Sequence, residues 1–283
     1  MTREEEKHLA VEACKVRMGV IEGTHGAKAG HPGGSLSAAD LFAYLYHKEL
    51  RVDPANPKWE NRDRFVLSKG HTAPGLYAAL ANRGFFPVED LPTLRHNGSY
   101  LQGHPNMNTV PGVDMSTGSL GQGISCAVGM AKAAKYLHQD EVRVYALLGD
   151  GEMAEGEVWE ACLFAAHYQL DNFCAIVDLN GLQIDGATRE VMNTDPVDAK
   201  LAAFGFDTIT VDGHDFAQLE QGFARFHQNT GRPTAILMRT TKGKGVSFME
   251  HQAGWHGKAP NDAEYEAAMG ELRARMAELE GAQ

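Results

Sequence analysis

Two short stretches carry residue types that could bind a hard cation. Gly149-Asp150-Gly151 and Asn180-Gly181-Leu182 each follow an apolar run, over 142–148 in the first case and 173–177 in the second. Runs that short, bounded by turn residues, fit buried strands of a parallel sheet. Such sheets collect ligands at the carboxyl ends of their strands, so Asp150 and Asn180, each just past one, can converge. A carboxylate, an amide oxygen and a backbone carbonyl suit a small cation that prefers octahedral oxygen and fills its other positions with phosphate oxygens and water. Gly149 and Gly151 let the backbone approach that ligand with no Cβ in the way. The pair reads as a magnesium-diphosphate clamp. Gly-Asp-Gly alone is also an ordinary turn, and Asn180 at the second strand end is what raises it to a site.

The elements around these strands must hold the clamp in place. Thr2 with Glu5 resembles a capping box, and Leu9, Ala13, Val16 and Val20 keep a helical stripe expected to end near Gly23. Residues 26–35 hold so many breakers that a loop is expected, with His31 exposed. Ser37 and Asp40 read as the opening of a second helix whose Leu41, Phe42, Leu45 and Tyr46 face the core. A strand over 65–67 runs into Ser68-Lys69-Gly70-His71, and a helix over 73–82 closes at Gly84. Residues 97–117 lack any sustained period, a loop long enough to suggest function, and they contain Gly103-His104-Pro105. A small-residue helix over 124–137 then follows a glycine turn whose helix N-terminus favours anions. A dinucleotide-binding reading of Gly121-Gln122-Gly123 is weaker, because no strand directly precedes it and Cys126 occupies the third-glycine position.

Past the Gly149 turn, a helix over 154–169 is expected to turn Val158, Trp159, Cys162, Leu163 and Ala166 inward. A helix over 197–204, a strand over 209–211, a helix over 216–227 and a strand over 233–238 complete the alternation. Strand, helix, strand repeats predict an α/β fold, three-layer αβα, with a mostly parallel sheet and helices on both faces. Asn261 and Glu264 cap a helix over 261–280 whose Tyr265, Met269, Leu272, Met276 and Leu279 form one apolar seam, for docking on its own domain or on a partner. With no repeat, low-complexity tract or linker, the chain reads as a single domain, 1–283.

Composition narrows the function classes. At 43% hydrophobic content, 283 residues can build a substantial core. A formal net charge of −11 argues against nucleic-acid and anionic-membrane partners. Cys14, Cys126, Cys162 and Cys174 lie in apolar or helical patterns without close pairing, which fits reduced thiols and argues against a zinc site. The charged N-terminus has no apolar signal core and no run is long enough to span a bilayer, so a cytoplasmic protein is expected. His31, His71, His104 and His256 each lie beside glycine in loop segments, where several imidazoles can line a pocket that binds hydroxyls and moves protons. His8, His138 and His227 read as surface positions.

Taken in order, Gly30-His31-Pro32-Gly33, the stretch from Asp63 to His71, Gly103-His104-Pro105, the stretch from Thr117 to Gly123, Gly149-Asp150-Gly151 with Glu155-Gly156, and Asp178-Leu179-Asn180-Gly181 resemble transketolase. The likeness is to its N-terminal, diphosphate-binding section, and nearly the whole chain takes part. The resemblance implies the thiamin diphosphate-binding fold and thiamine diphosphate as cofactor. It also implies Mg2+, or another divalent cation such as Ca2+ or Mn2+, held by Asp150, Asn180 and the Leu182 carbonyl. By the same likeness Gly118 and Leu120 would lie near the aminopyrimidine and thiazolium, with Gly149, Gly151 and Glu155 among the cofactor-site residues. Glu155 would stand at the contact between cofactor sites, where its plain structural role is helix N-terminal charge. His31, His71, His104 and His256 would surround the reactive carbon and the sugar hydroxyls as proton carriers and donor-orienting groups.

The implied chemistry moves a two-carbon ketol unit from a ketose phosphate to an aldose, the cofactor providing the carbon nucleophile. Ser119 departs from a frequent family proline, and Ala253 from a frequent histidine. The chain also stops at Gln283, before the pyrimidine-binding domain and the glutamate that protonates the aminopyrimidine. It is therefore expected to be one subunit of a split transketolase, inactive without a separate C-terminal subunit, in a heterotetramer of two of each. Alternatives are a subunit for a deoxyxylulose-phosphate synthase-like or modified-ketose reaction, a non-catalytic binding protein, or a nucleotide-binding domain.

Overall fold

Strand alternation divides the interior into two cores. The computed structural model describes residues 1–139 and 141–281; Asp140, Ala282 and Gln283, which the expected 1–283 domain includes, lie outside the described residues. Helices α1 (Arg3–Ala27), α2 (Pro32–Ser37) and α3 (Ala39–Tyr44), the last continuing as a π turn over Leu45–Glu49, precede strand β1 (Arg64–Leu67). A 3-10 turn over Gly70–Thr72 enters α4 (Ala73–Arg83), and beyond the long loop come α5 (Gln122–Tyr136), β2 (Val144–Gly149), a 3-10 turn over Gly151–Ala154, α6 (Gly156–His167) and β3 (Phe173–Leu179). A small hairpin of β4 (Leu182–Gln183) and β5 (Gly186–Ala187) leads to α7 (Thr188–Val191), α8 (Val197–Ala203), β6 (Asp207–Asp212), α9 (Phe216–Gln228) and β7 (Thr234–Arg239). The 3-10 turn Ala253–His256 and α10 (Asp262–Gly281) follow.

The five longer strands form one parallel sheet in the order β1-β2-β3-β7-β6. Because successive side chains point to opposite faces, Tyr145, Leu147, Cys174, Ile176, Ile236 and Met238 enter the core shared with α1, α3, α4 and α9. Val144, Ala146, Leu148, Ala175, Val177 and Leu237 enter the one shared with α5, α6 and α8. This is the expected αβα sandwich. No helix among the described residues is long and apolar enough to cross a membrane.

The α10 seam has a settled partner within the chain. Met269 and Leu272 are fully buried, Tyr265, Met276 and Leu279 pack against the same core, and Cys14 Sγ of α1 lies 3.4 Å from the Leu272 carbonyl. The predicted cap is present, with Asn261 and Glu264 each accepting from the other's amide at 2.9 and 2.8 Å. The Thr2–Glu5 capping box of α1 is present as well.

Four local expectations are corrected. Helix α1 does not stop near Gly23 but runs to Ala27, and residues 32–37 are helical rather than loop. The glycines that read as breakers are close-contact positions: a Cβ on Gly23 would lie 3.2 Å from the Leu91 carbonyl, one on Gly26 2.5 Å from that of Pro92, and one on Gly33 2.9 Å from that of Trp255. Pro32 occupies the first helical turn, where its missing N–H costs nothing. Ser37 does not cap a helix; its hydroxyl donates to the Asp178 carboxylate at 2.6 Å. On α6 the buried stripe is Val158, Ala161, Cys162 and Ala165, while Leu163 is 59% exposed.

Candidate functional site

The carboxyl ends of β2 and β3 lie side by side, with Gly149 in register with Asp178, and this adjacency brings Asp150 and Asn180 together. Asp150 is buried. Its Oδ1 accepts from the Gly151 amide at 2.8 Å and its Oδ2 from the Gly181 amide at 2.6 Å, so the carboxylate spans the two turns. Burial, reinforced by the Asp178 charge, pushes its carboxyl up to about 6 despite those hydrogen bonds. Asn180 donates Nδ2 to Asp178 at 3.1 Å, while its Oδ1 accepts from the Leu182 amide at 3.1 Å. The Leu182 carbonyl, assigned by resemblance to a metal, accepts from the Lys242 ammonium at 3.3 Å.

These groups line a cavity of about 390 Å³ that also takes in Gly118, Leu120, Gly149, Gly151 and Glu155. Glu155 is exposed on its edge. His31, His71 and His256 line the same cavity as one cluster, with ring centroids 5.3 Å apart for His31 and His71, 5.4 Å for His31 and His256, and 4.9 Å for His71 and His256. His31, expected to be exposed, is half-buried where α2 begins, and its Nδ1 is buried without a partner. His104 stands apart from this lining. It is exposed on the long loop, 6.4 Å from His31 between ring centroids, and its ring lies where Gly118 has no Cβ.

All four imidazoles are poised to be neutral at neutral pH. Burial lowers His31 to about 4 and His256 to about 3, with Arg95 next in effect for the first and Lys242 for the second. Burial and the Lys69 charge take His71 well below the ordinary value, and burial and Arg95 lower His104. A neutral imidazole keeps one donor and one acceptor nitrogen, as proton transfer to and from hydroxyls requires.

Two buried carboxylates form the frame beneath. Asp178, fully buried, accepts from Ser37, Lys69 (2.5 Å), Asn180 and Thr240, which ties α2 and the ends of β1, β3 and β7 to one point. Burial opposes its ionisation, but the Lys69 ammonium and the surrounding donors hold its carboxyl below the usual value. Glu152 accepts from the Ser68 hydroxyl at 2.6 Å and from the amides of Gly121 at 2.9 Å and Gly149 at 3.1 Å, fastening the glycine turn before α5 to the turn after β2.

Lys242 is buried; its Nζ reaches His256 Nδ1 at 3.0 Å, and burial lowers it to about 8 against the pull of Asp150 and Asp178. The loop that carries it is braced from behind: His214 Nδ1 meets Asp40 at 2.7 Å, His214 Nε2 accepts the Thr241 amide at 2.9 Å, and Arg17 pairs with Asp40 at 2.5 Å. A larger cavity of about 660 Å³ beside α1 and α10 includes these last groups, whose charges already satisfy one another.

Sequence reasoning gave no site role to Lys69, Lys242, Glu152 or Asp178. Lys242 follows β7 just as Asp150 follows β2, so its place past a strand end was the available signal. Asp178 opens one of the stretches that carry the resemblance, but its structural role was hidden because its partner Ser37 lies 141 residues away.

Residues 8–275 match the family model described as transketolase, thiamine diphosphate binding domain. The chain is 42% identical over 269 residues to the 6-deoxy-6-sulfo-D-fructose transketolase subunit of Clostridium sp. (strain MSTE9), covering 95% of this chain and 98% of that one. It is also 42% identical over 272 residues to an apulose-4-phosphate transketolase subunit of Phocaeicola vulgatus, covering 96% of each. Against the transketolase of Mus musculus it is 44% identical over 250 residues, which is 87% of this chain and 39% of that protein. Among solved structures, the transketolase of Campylobacter jejuni superposes with a TM-score of 0.86 at 30% identity, covering 99% of this chain and 46% of that one. That of Leishmania mexicana gives 0.85 at 29%, covering 96% and 45%.

Proposed function

Because the chain belongs to the transketolase family through its thiamine diphosphate-binding domain, we propose that it is the diphosphate-binding subunit of a two-chain transketolase. The observation that carries this reading is the meeting, in one glycine-lined cavity, of the Asp150 and Asn180 oxygens with three neutral imidazoles. Thiamine diphosphate, when bound, supplies the carbon nucleophile that carries a two-carbon ketol unit from a ketose phosphate to an aldose.

The residues fit that cofactor and a divalent ion. Burial, reinforced by the neighbouring Asp178 carboxylate, raises Asp150 and so calls for positive charge there, and the oxygens of Asp150, Asn180 and Leu182 are hard donors suited to Mg2+, or to Ca2+ or Mn2+. Lys242 adds a cation to the same lining. Gly149 and Gly151 leave room for a diphosphate, and Gly118 and Leu120 present the α5 turn to the rest of the cofactor. His31, with a buried nitrogen still lacking a partner, together with His71 and His256, would bind sugar hydroxyls and hold or move their protons, with His104 acting from the rim. Glu155, exposed at the cavity edge, would meet the neighbouring chain.

The partner is a separate chain that brings the pyrimidine-binding domain, in a cytoplasmic heterotetramer of two of each, with this chain as one thiamine diphosphate-binding domain. Support comes from relatives themselves named as subunits and matched over nearly their full length. The same relatives, named for a sulfo-sugar and for apulose phosphate, favour a modified ketose as donor. The test is to isolate the partner from the source cell, mix the two chains with thiamine diphosphate and Mg2+, and follow ketol transfer from a panel of ketose phosphates. Activity is expected only from the mixture. Full activity from this chain alone would refute the two-chain reading, and tight nucleotide binding with no thiamine diphosphate binding would refute the cofactor.

A further inference from the structure

Helix α1 places His8 and Glu12 four residues apart, hence on one face. Against that face lies His47, from the π turn that extends α3. One ligand atom from each of the three residues lies within 4.8 Å of the others. The His8 and His47 rings meet edge to face, 5.4 Å between centroids.

The central residue is left unsatisfied. Glu12 is 5% exposed; its Oε1 is held by Lys15 Nζ at 2.7 Å, but its Oε2 is buried and accepts no hydrogen bond. The nearest cationic candidate, His47 Nε2, stands 3.5 Å from Oε2. A buried carboxylate oxygen without a donor is costly and rare. The 3.5 Å gap matches a different geometry, since metal-ligand bonds of about 2.0–2.1 Å in a tetrahedron set neighbouring donors about 3.3–3.4 Å apart. His8 is exposed, so its ring is free to close the remaining distance.

We propose that His8, Glu12 and His47 form a surface site for a zinc-class divalent cation, with water as the fourth ligand. Two imidazole nitrogens and one carboxylate oxygen select Zn2+ and its late first-row neighbours over Mg2+ or Ca2+, so this chemistry is distinct from the hard-oxygen site at Asp150. The site uses no cysteine, which is why cysteine spacing argued against zinc. A bound ion would staple the first turns of α1 to the π turn and stabilise the fold by linkage.

The test uses the full chain without a polyhistidine tag, stripped of metal by a chelator, then titrated with ZnCl2 by calorimetry and melted with and without zinc. Wild type is expected to take up one zinc at this site and to melt several degrees higher at saturation. His8→Ala, at an exposed position where little packing is lost, should lose that equivalent and the shift while keeping the zinc-free melting temperature. Co2+ should give the strong visible absorption of a tetrahedral site in wild type and not in His47→Ala. Asp150→Ala should keep the equivalent. Zinc uptake unchanged in both histidine variants, no uptake by wild type, or loss of the equivalent in Asp150→Ala alone would each overturn the proposal.

Discussion

At Asp150 each carboxylate oxygen already accepts one backbone amide, which aims the group while leaving lone pairs for a cation. Asp150→Ala should therefore abolish metal-dependent thiamine diphosphate binding, read by calorimetry on the reconstituted pair. His104→Ala, on the rim, should leave that binding intact and lower kcat by about 10²-fold or more; equal loss of cofactor in both variants would contradict the division of roles. The imidazole wall also predicts an acid limit. His31 and His256 take a proton near the ordinary 6.5 when unfolded but only near about 4 and about 3 when folded. The unfolded state then binds more protons between those values, so stability is fully present above 6.5 and falls as pH drops through that window. Urea unfolding at stepped pH should show this decline, and His31→Asn should flatten it; identical profiles would remove His31 as a source. These histidines were visible in sequence as glycine-flanked positions, but their low basicity was not, because it arises from burial and from Lys242, Lys69 and Arg95, brought near by folding.

At the scale of elements, strand ends and helix starts are held in register by buried charge. Lys69→Met would leave the Asp178 carboxylate buried among neutral donors and should cost about 3–5 kcal/mol of stability, measured by denaturant unfolding. Adding Asp178→Asn should recover part of the loss, whereas a simple sum of the two losses would argue against a coupled pair. Asn261→Ala should cost about 1 kcal/mol by removing half of the α10 capping box. Periodicity and capping signals located most elements to within a turn, since a helix face or a strand run is written in adjacent residues. The failures at Gly23, at 32–37 and at Ser37 share one cause. Glycines read as breakers permit close approach to Leu91, Pro92 and Trp255, and a serine read as a cap instead binds Asp178.

For the molecule as a whole, the α10 seam decides between internal and external use. Leu272 is buried against α1, so Leu272→Ala should cost about 2–5 kcal/mol in unfolding of this chain by itself. A loss confined to association with the partner chain, with the stability of the single chain unchanged, would return the seam to the partner interface.

The sequence by itself determined the parallel αβα architecture, the oxygen pair past two strand ends and the family, because strand runs, turns and motifs are local and ordered along the chain. Only the tertiary structure decided which imidazoles share a wall, that His104 stays at the rim, that Lys242 faces Leu182 and His256, and that Glu12 lacks a donor for one oxygen. Those facts depend on contacts between residues far apart in the chain and on how much water each group loses, and neither is encoded in spacing.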